Sequence, residues 1–95
     1  MSQNPIPARV SSPGTILDRE LKARHWSQQE FADKMQCSAS EISDLIRGDR
    51  DITPDIAKNL AKVLETRPEF WLNLATNYRL FLARKEQQAK VRYLL

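Results

Sequence analysis

The chain has almost no glycine: Gly14 and Gly48 are the only two among 95 residues. A phosphate-cradling loop needs several glycines in one short run, so nucleotide binding of that kind is excluded. There is one cysteine, Cys37, and one histidine, His25. No internal disulfide can form, and no Cys/His set has the spacing of a zinc site. A lone thiol fits a reducing compartment. No apolar run nears the ~20 residues of a membrane span. Met1 to Val10 holds no apolar stretch of signal type, so a cytoplasmic protein is expected. Strand-like alternation is missing as well, and none of the prolines at 5, 7, 13, 54 and 68 interrupts an apolar periodic run. No nucleophile–base pair stands out. The expectation is an all-α protein that is not an enzyme and holds no metal or cofactor.

What is present is ordinary material for one small soluble domain, 41% hydrophobic and 28% charged. The net charge of +3 is a weak pointer to nucleic acid, but its distribution is uneven. Residues 27–52 carry three Lys/Arg against six Asp/Glu, and residues 79–95 carry five against one. A chain this short leaves much of its surface exposed, so a dimer interface would help to stabilise it.

Three segments follow: an extended arm over 1–11, set by Pro5 and Pro7, a folded unit over 12–85, and a basic tail over 86–95. The first helix is predicted to begin at Ser12-Pro13, a cap followed by proline at the first helical position, with Ile16, Leu17 and Leu21 facing inward. Ser27 and Glu30 form a capping box for a second helix that buries Phe31, Ala32 and Met35. Ser38 and Glu41 repeat that signal for a third, with Ile42, Leu45 and Ile46 as its core face and Gly48 as its left-handed stop. A fourth begins at Thr53-Pro54 and carries Ile56, Ala57, Leu60, Ala61, Val63 and Leu64 at helical spacing. A fifth begins at Thr66, with Glu69 completing a third capping box. It runs to about Arg84, and the residues beyond either extend it or fray. His25 reads as turn filler and Cys37 as a small packing residue.

Only Gln36-Cys37 separates the second helix from the cap of the third. So tight a turn forces a steep crossing, the geometry of a helix-turn-helix whose second member enters the DNA major groove. Rotating by about 100° per residue from Ser38 puts the third helix's core near 30° and its outer face near 210°. Ser43, Arg47, Ser40 and Asp44 then fall at about 140°, 180°, 200° and 240°. Small hydroxyl residues let a helix approach base edges, and Ser can donate or accept there. Ala39 lies at the flank, where its methyl can touch a thymine methyl. Asp44 would repel phosphate or accept from a cytosine amine, with a solvated role favoured. The acidity of 27–52 is tolerable because helix N-termini offer amides to phosphates.

The run Ser27-Gln28-Gln29-Glu30-Phe31-Ala32-Asp33-Lys34-Met35 resembles the first helix of phage-repressor-type, lambda-repressor-like (Xre) domains, and the likeness covers residues 13–65. Asp55-Ile56-Ala57, Leu60-Ala61 and Pro68-Glu69-Phe70-Trp71-Leu72-Asn73-Leu74 resemble HigA-type antitoxins, the antidote halves of type II toxin–antitoxin pairs, and the Pro13-Gly14 opening fits them. The resemblance implies a five-helix lambda-repressor-like domain. It places Gln28 where it can bond a phosphate or brace the reader helix. Ala39, Ser40 and Ser43 stand at base-reading positions, with Arg47 and Arg50 beside the backbone. Ala39 departs from the long polar residue common at that place. With the cap Ser38, these form the expected DNA-facing set.

The fifth helix is apolar on two sides: Phe70, Leu74, Tyr78 and Phe81 on one, Leu72, Ala75, Leu82 and Ala83 on another. Two apolar sides imply two partners, the domain core and a second copy, with the latter stripe as dimer surface. The expected activity is therefore that of a dimeric antitoxin. It would bind double-stranded operator DNA, repress its own operon and neutralise a toxin, expected to be a ribonuclease. The alternative is a stand-alone phage-type or metabolic repressor. A basic tail would repel a basic ribonuclease, so the toxin is expected on the first helix and the arm, or away from its own catalytic cleft.

Overall fold

The computed structural model describes the backbone of residues 11–94 and side chains of 11–87. The expected arm, apart from Ser11, therefore lies outside the described residues, as do the side chains of the basic tail beyond residue 87. Among those described there are five helices and no strand: α1 (Pro13–Ala23), α2 (Gln28–Met35), α3 (Ala39–Arg47), α4 (Pro54–Leu64) and α5 (Pro68–Leu94).

Cap chemistry starts four of them. Ser12, Ser27, Ser38 and Thr53 each accept a hydrogen bond from the backbone N–H three residues on, satisfying a donor that the first turn would otherwise leave unpaired. At Ser27 the box closes, because the Glu30 carboxylate also takes the Ser27 N–H at 3.1 Å. At Ser38 only the serine half forms. The predicted third box does not start α5. Thr66 instead accepts the indole N–H of Trp71 at 2.8 Å, and the helix starts at Pro68. Trp71 is wholly buried, so its donor needs a partner inside the protein.

The helix ends hold a feature the sequence does not advertise. Besides Gly48, three non-glycine residues among those described take left-handed backbone angles: His25, Gln36 and Glu65. At each, the chain turns back so that a following N–H reaches a carbonyl in the last turn. Trp26 donates to Leu21, Cys37 to Ala32 and Thr66 to Ala61, each at 3.0 Å. Side chains from distant elements supplement these closures. The Arg24 guanidinium donates to Leu64 O and the Asn59 amide to Met35 O.

α1 packs on α3 and α5, α2 on α3 and α4, and α4 on α5. The apolar faces read from periodicity meet in one core, with Leu17, Phe31, Ile42, Leu60, Leu64 and Trp71 fully buried. Ile52, a loop residue, joins them. Trp26 covers the edge, stacking on Phe31 with Lys34 Nζ 4.7 Å above its ring.

α5 does not divide as expected. Its innermost line runs through Trp71, which belongs to neither predicted stripe, and Ala75, which belongs to the second. Ala75 is a core residue of this chain, so it is not part of a free second face. Leu72 and Leu74 half-bury against the same core, whereas Phe70, Leu80 and Leu82 stay exposed. The backbone stays helical through Leu94, so no break marks 85/86. Its 27 residues make a rod about 40 Å long.

Candidate nucleic-acid interface

α2 and α3 meet at a turn of three residues. Gln36 supplies the left-handed bend, Cys37 sits half-buried, and Ser38 caps α3. Burial, the neighbouring Glu41 charge and the hydrogen bond to Glu41 raise the Cys37 pKa, with Arg50 opposing. The thiol therefore stays protonated at neutral pH, unlike a reactive thiolate.

The outer face of α3 matches the helical wheel. Ser40 and Arg47 are exposed, Ser43 and Asp44 half-exposed, and Ala39 half-buried against the core. Ser38 Oγ is spent on the Glu41 N–H. Gln28 is exposed at the start of α2 and, among the described residues, makes no side-chain hydrogen bond. It does not brace α3 in this structure.

The two arginines are not equivalent. The Arg47 guanidinium donates from Nε to Asp49, from one terminal nitrogen to Ser43 at 3.0 Å, and from the other to Asp44 at 2.6 Å. Arg50 is outside this cluster. It lines a surface depression with Met35, Cys37, Glu41, Leu45, Asp55, Ile56 and Asn59, on the side of α3 that faces α4. The structure thus brings Ser43 and Arg47 together and sets Arg50 apart. Asp49 was missed by the sequence reading. Its only signal there is a carboxylate two residues past Arg47.

Behind this face α1 holds α3 at close range. Gly14, in the first turn of α1, lies against the carbonyls of Leu45 and Ile46. A methyl group at Gly14 would overlap the Ile46 carbonyl and stand 2.7 Å from Leu45 O.

The helix-turn-helix family model matches residues 17–71, which span the core of α1 through to Trp71. The chain belongs to the helix-turn-helix family. Its members are DNA-binding regulators, not enzymes, and so is this chain. Among curated relatives, an uncharacterized HTH-type transcriptional regulator of Escherichia coli, YddM, is 36% identical over 73 residues, which is 77% of this chain and 78% of that protein. Among solved structures, a protein described as an antidote of a plasmid maintenance system from Nostoc punctiforme superposes with a TM-score of 0.86 at 30% identity, covering 92% of this chain and 96% of that one. The Pseudomonas aeruginosa antitoxin HigA, solved with the higBA promoter, superposes at 0.79 with 30% identity over 92% and 96%. Both likenesses extend beyond the helix-turn-helix and include much of α5. They agree with the HigA-type resemblance carried by Pro68–Leu74.

Proposed function

We propose that this helix-turn-helix protein is the antitoxin of a type II pair. In this reading it binds operator DNA as a dimer, represses its own operon and neutralises a toxin, a ribonuclease, in the cytoplasm. The observation that carries the reading is the outer face of α3: two serines, Asp44 and one arginine tethered to it, with no exposed Leu, Phe or Trp. That composition suits approach to base edges, whereas a helix used only for protein contact would present a large apolar side chain. The likeness to a HigA solved with promoter DNA supports it.

In this reading Ser40 and Ser43 meet base edges, Ala39 touches a methyl at the flank, and Gln28 and Arg50 hold phosphates. Ser38 serves through the cap. Two copies would place their α3 helices about 34–36 Å apart on inverted half-sites. The pairing surface is α5, through Leu72, Leu82 and Ala83 together with the exposed Leu80, because Ala75 is already used inside the monomer. The toxin meets α1 and the segment before it, and the basic residues Arg84 and Lys85 face DNA or solvent.

The test has two parts. The purified protein should retard a duplex taken from immediately upstream of its own reading frame, with half-saturation between about 10⁻⁸ and 10⁻¹¹ M at physiological salt. Co-expression should relieve growth arrest caused by the product of the adjacent reading frame. Retardation without rescue would favour the stand-alone repressor, a reading that the likeness to an HTH-type transcriptional regulator also supports. Failure of both would remove the proposal.

A further inference from the structure

We infer that Arg47 and Asp44 act as one base-reading pair for a G·C base pair, with Asp49 as a positioning residue, and that Arg47 is not a phosphate anchor. The inference rests on the DNA-binding reading above and names what that site recognises.

The argument begins with the backbone. Gly48 takes a left-handed conformation at the end of α3, and the Asp49 N–H then returns to Asp44 O at 2.9 Å. This closure holds Asp49 beside the last turn of α3, where its carboxylate reaches Arg47 Nε at 3.1 Å. Asp44, one turn earlier, takes a terminal nitrogen, and Ser43 takes the other. Three of the five guanidinium N–H groups are committed, so two remain for an outside acceptor. The long side chain is thereby held on the outer face of α3 before any DNA arrives.

Charge then selects the acceptor. Arg47 with Asp44 and Asp49 sums to one negative charge. A phosphate drawn to the guanidinium would also be repelled by the two carboxylates bonded to it. Salt does not remove that repulsion, since the separations are well inside a Debye length of about 8–10 Å. The major-groove edge of guanine is different, because its N7 and O6 are uncharged acceptors that match paired N–H donors. The partner cytosine presents an amine, which a carboxylate oxygen accepts. One arginine and one carboxylate side by side match both halves of a G·C pair and mismatch a phosphate. Arg50, outside the cluster, is left to the backbone.

The experiment selects duplexes from a pool of random-sequence DNA with the wild-type chain. It then measures binding to the enriched duplex, and to versions with each G·C pair replaced, across a salt series. Arg47→Ala should lose roughly 5- to 150-fold discrimination at one G·C pair in each half-site. Its slope of log affinity against log salt should stay within about half a phosphate of wild type. Asp44→Asn should change the base preferred at that same pair. By removing a negative charge it should also tighten binding to unrelated DNA. A uniform loss for all sequences in Arg47→Ala, with the slope reduced by about one phosphate, would overturn the inference and leave DNA binding intact. Failure of the wild-type chain to enrich any duplex would overturn the DNA-binding reading and this inference with it.

Discussion

Replacing Gly14 with alanine should destabilise the protein by about 3 kcal/mol or more, near the upper end of overpacking costs. The reason is what the new methyl meets. It would fall on the carbonyl group of Ile46 and within 2.7 Å of Leu45 O, and both neighbours are backbone. A crowded side chain can rotate away, but a helix backbone can only move as a body, so α1 and α3 must separate. For a chain of this size the loss corresponds to a fall in Tm of roughly 12–24 °C. Because α3 carries the reading face, DNA affinity should fall even where the protein remains folded. Urea unfolding measures the first effect and retardation of the upstream duplex the second. A change within about 0.5 kcal/mol, as for an ordinary surface substitution, would mean that α1 and α3 do not pack this closely.

Trp71→Ala should be comparably severe, at about 3–5 kcal/mol. Trp71 is the largest fully buried side chain, and its indole N–H is bonded to Thr66. Its removal leaves a cavity where α5 docks on the rest of the core. Small domains hold only about 5–15 kcal/mol in total, so the variant should be close to unfolded at physiological temperature. Thr66→Val separates packing from polarity. It keeps the ring but leaves a buried donor unpaired, and should cost about 1–3 kcal/mol. Thermal unfolding followed by circular dichroism orders the three proteins. Equal stability of wild type and Thr66→Val would contradict the account of how α5 begins.

Those two residues also mark what the sequence shows and what it hides. Ser12, Ser27, Ser38 and Thr53 can be read as caps because capping is a local bond between a side chain and the amide three residues on. Thr66 carries the same signal and fails. A buried indole N–H five residues away competes for its oxygen, and that competition exists only once the core has formed. Periodicity shows that α5 is apolar on two sides. It does not show that Trp71 and Ala75 form the innermost line, because which line faces inward depends on where α1 and α4 sit. Asp49 is harder to read: Gly48 announces the left-handed turn, but not that the turn returns the Asp49 N–H to Asp44 O and so brings its carboxylate to Arg47. The bond from Arg24 to Leu64 joins residues 40 apart in the chain, a distance no local pattern reports. The outer face of α3, in contrast, was legible residue by residue. One amphipathic helix with a clear core side leaves little freedom for the other side.

The central claim is that the outer face of α3 meets the DNA. Amide NMR on the protein titrated with its upstream duplex tests that claim most directly. The largest shifts should fall on Ala39 to Ser43, on Arg47 and on Gln28 at the start of α2, with the α4 amides of Leu60 to Leu64 little changed. Shifts concentrated along α5, with Ser38 to Arg47 unmoved, would contradict it.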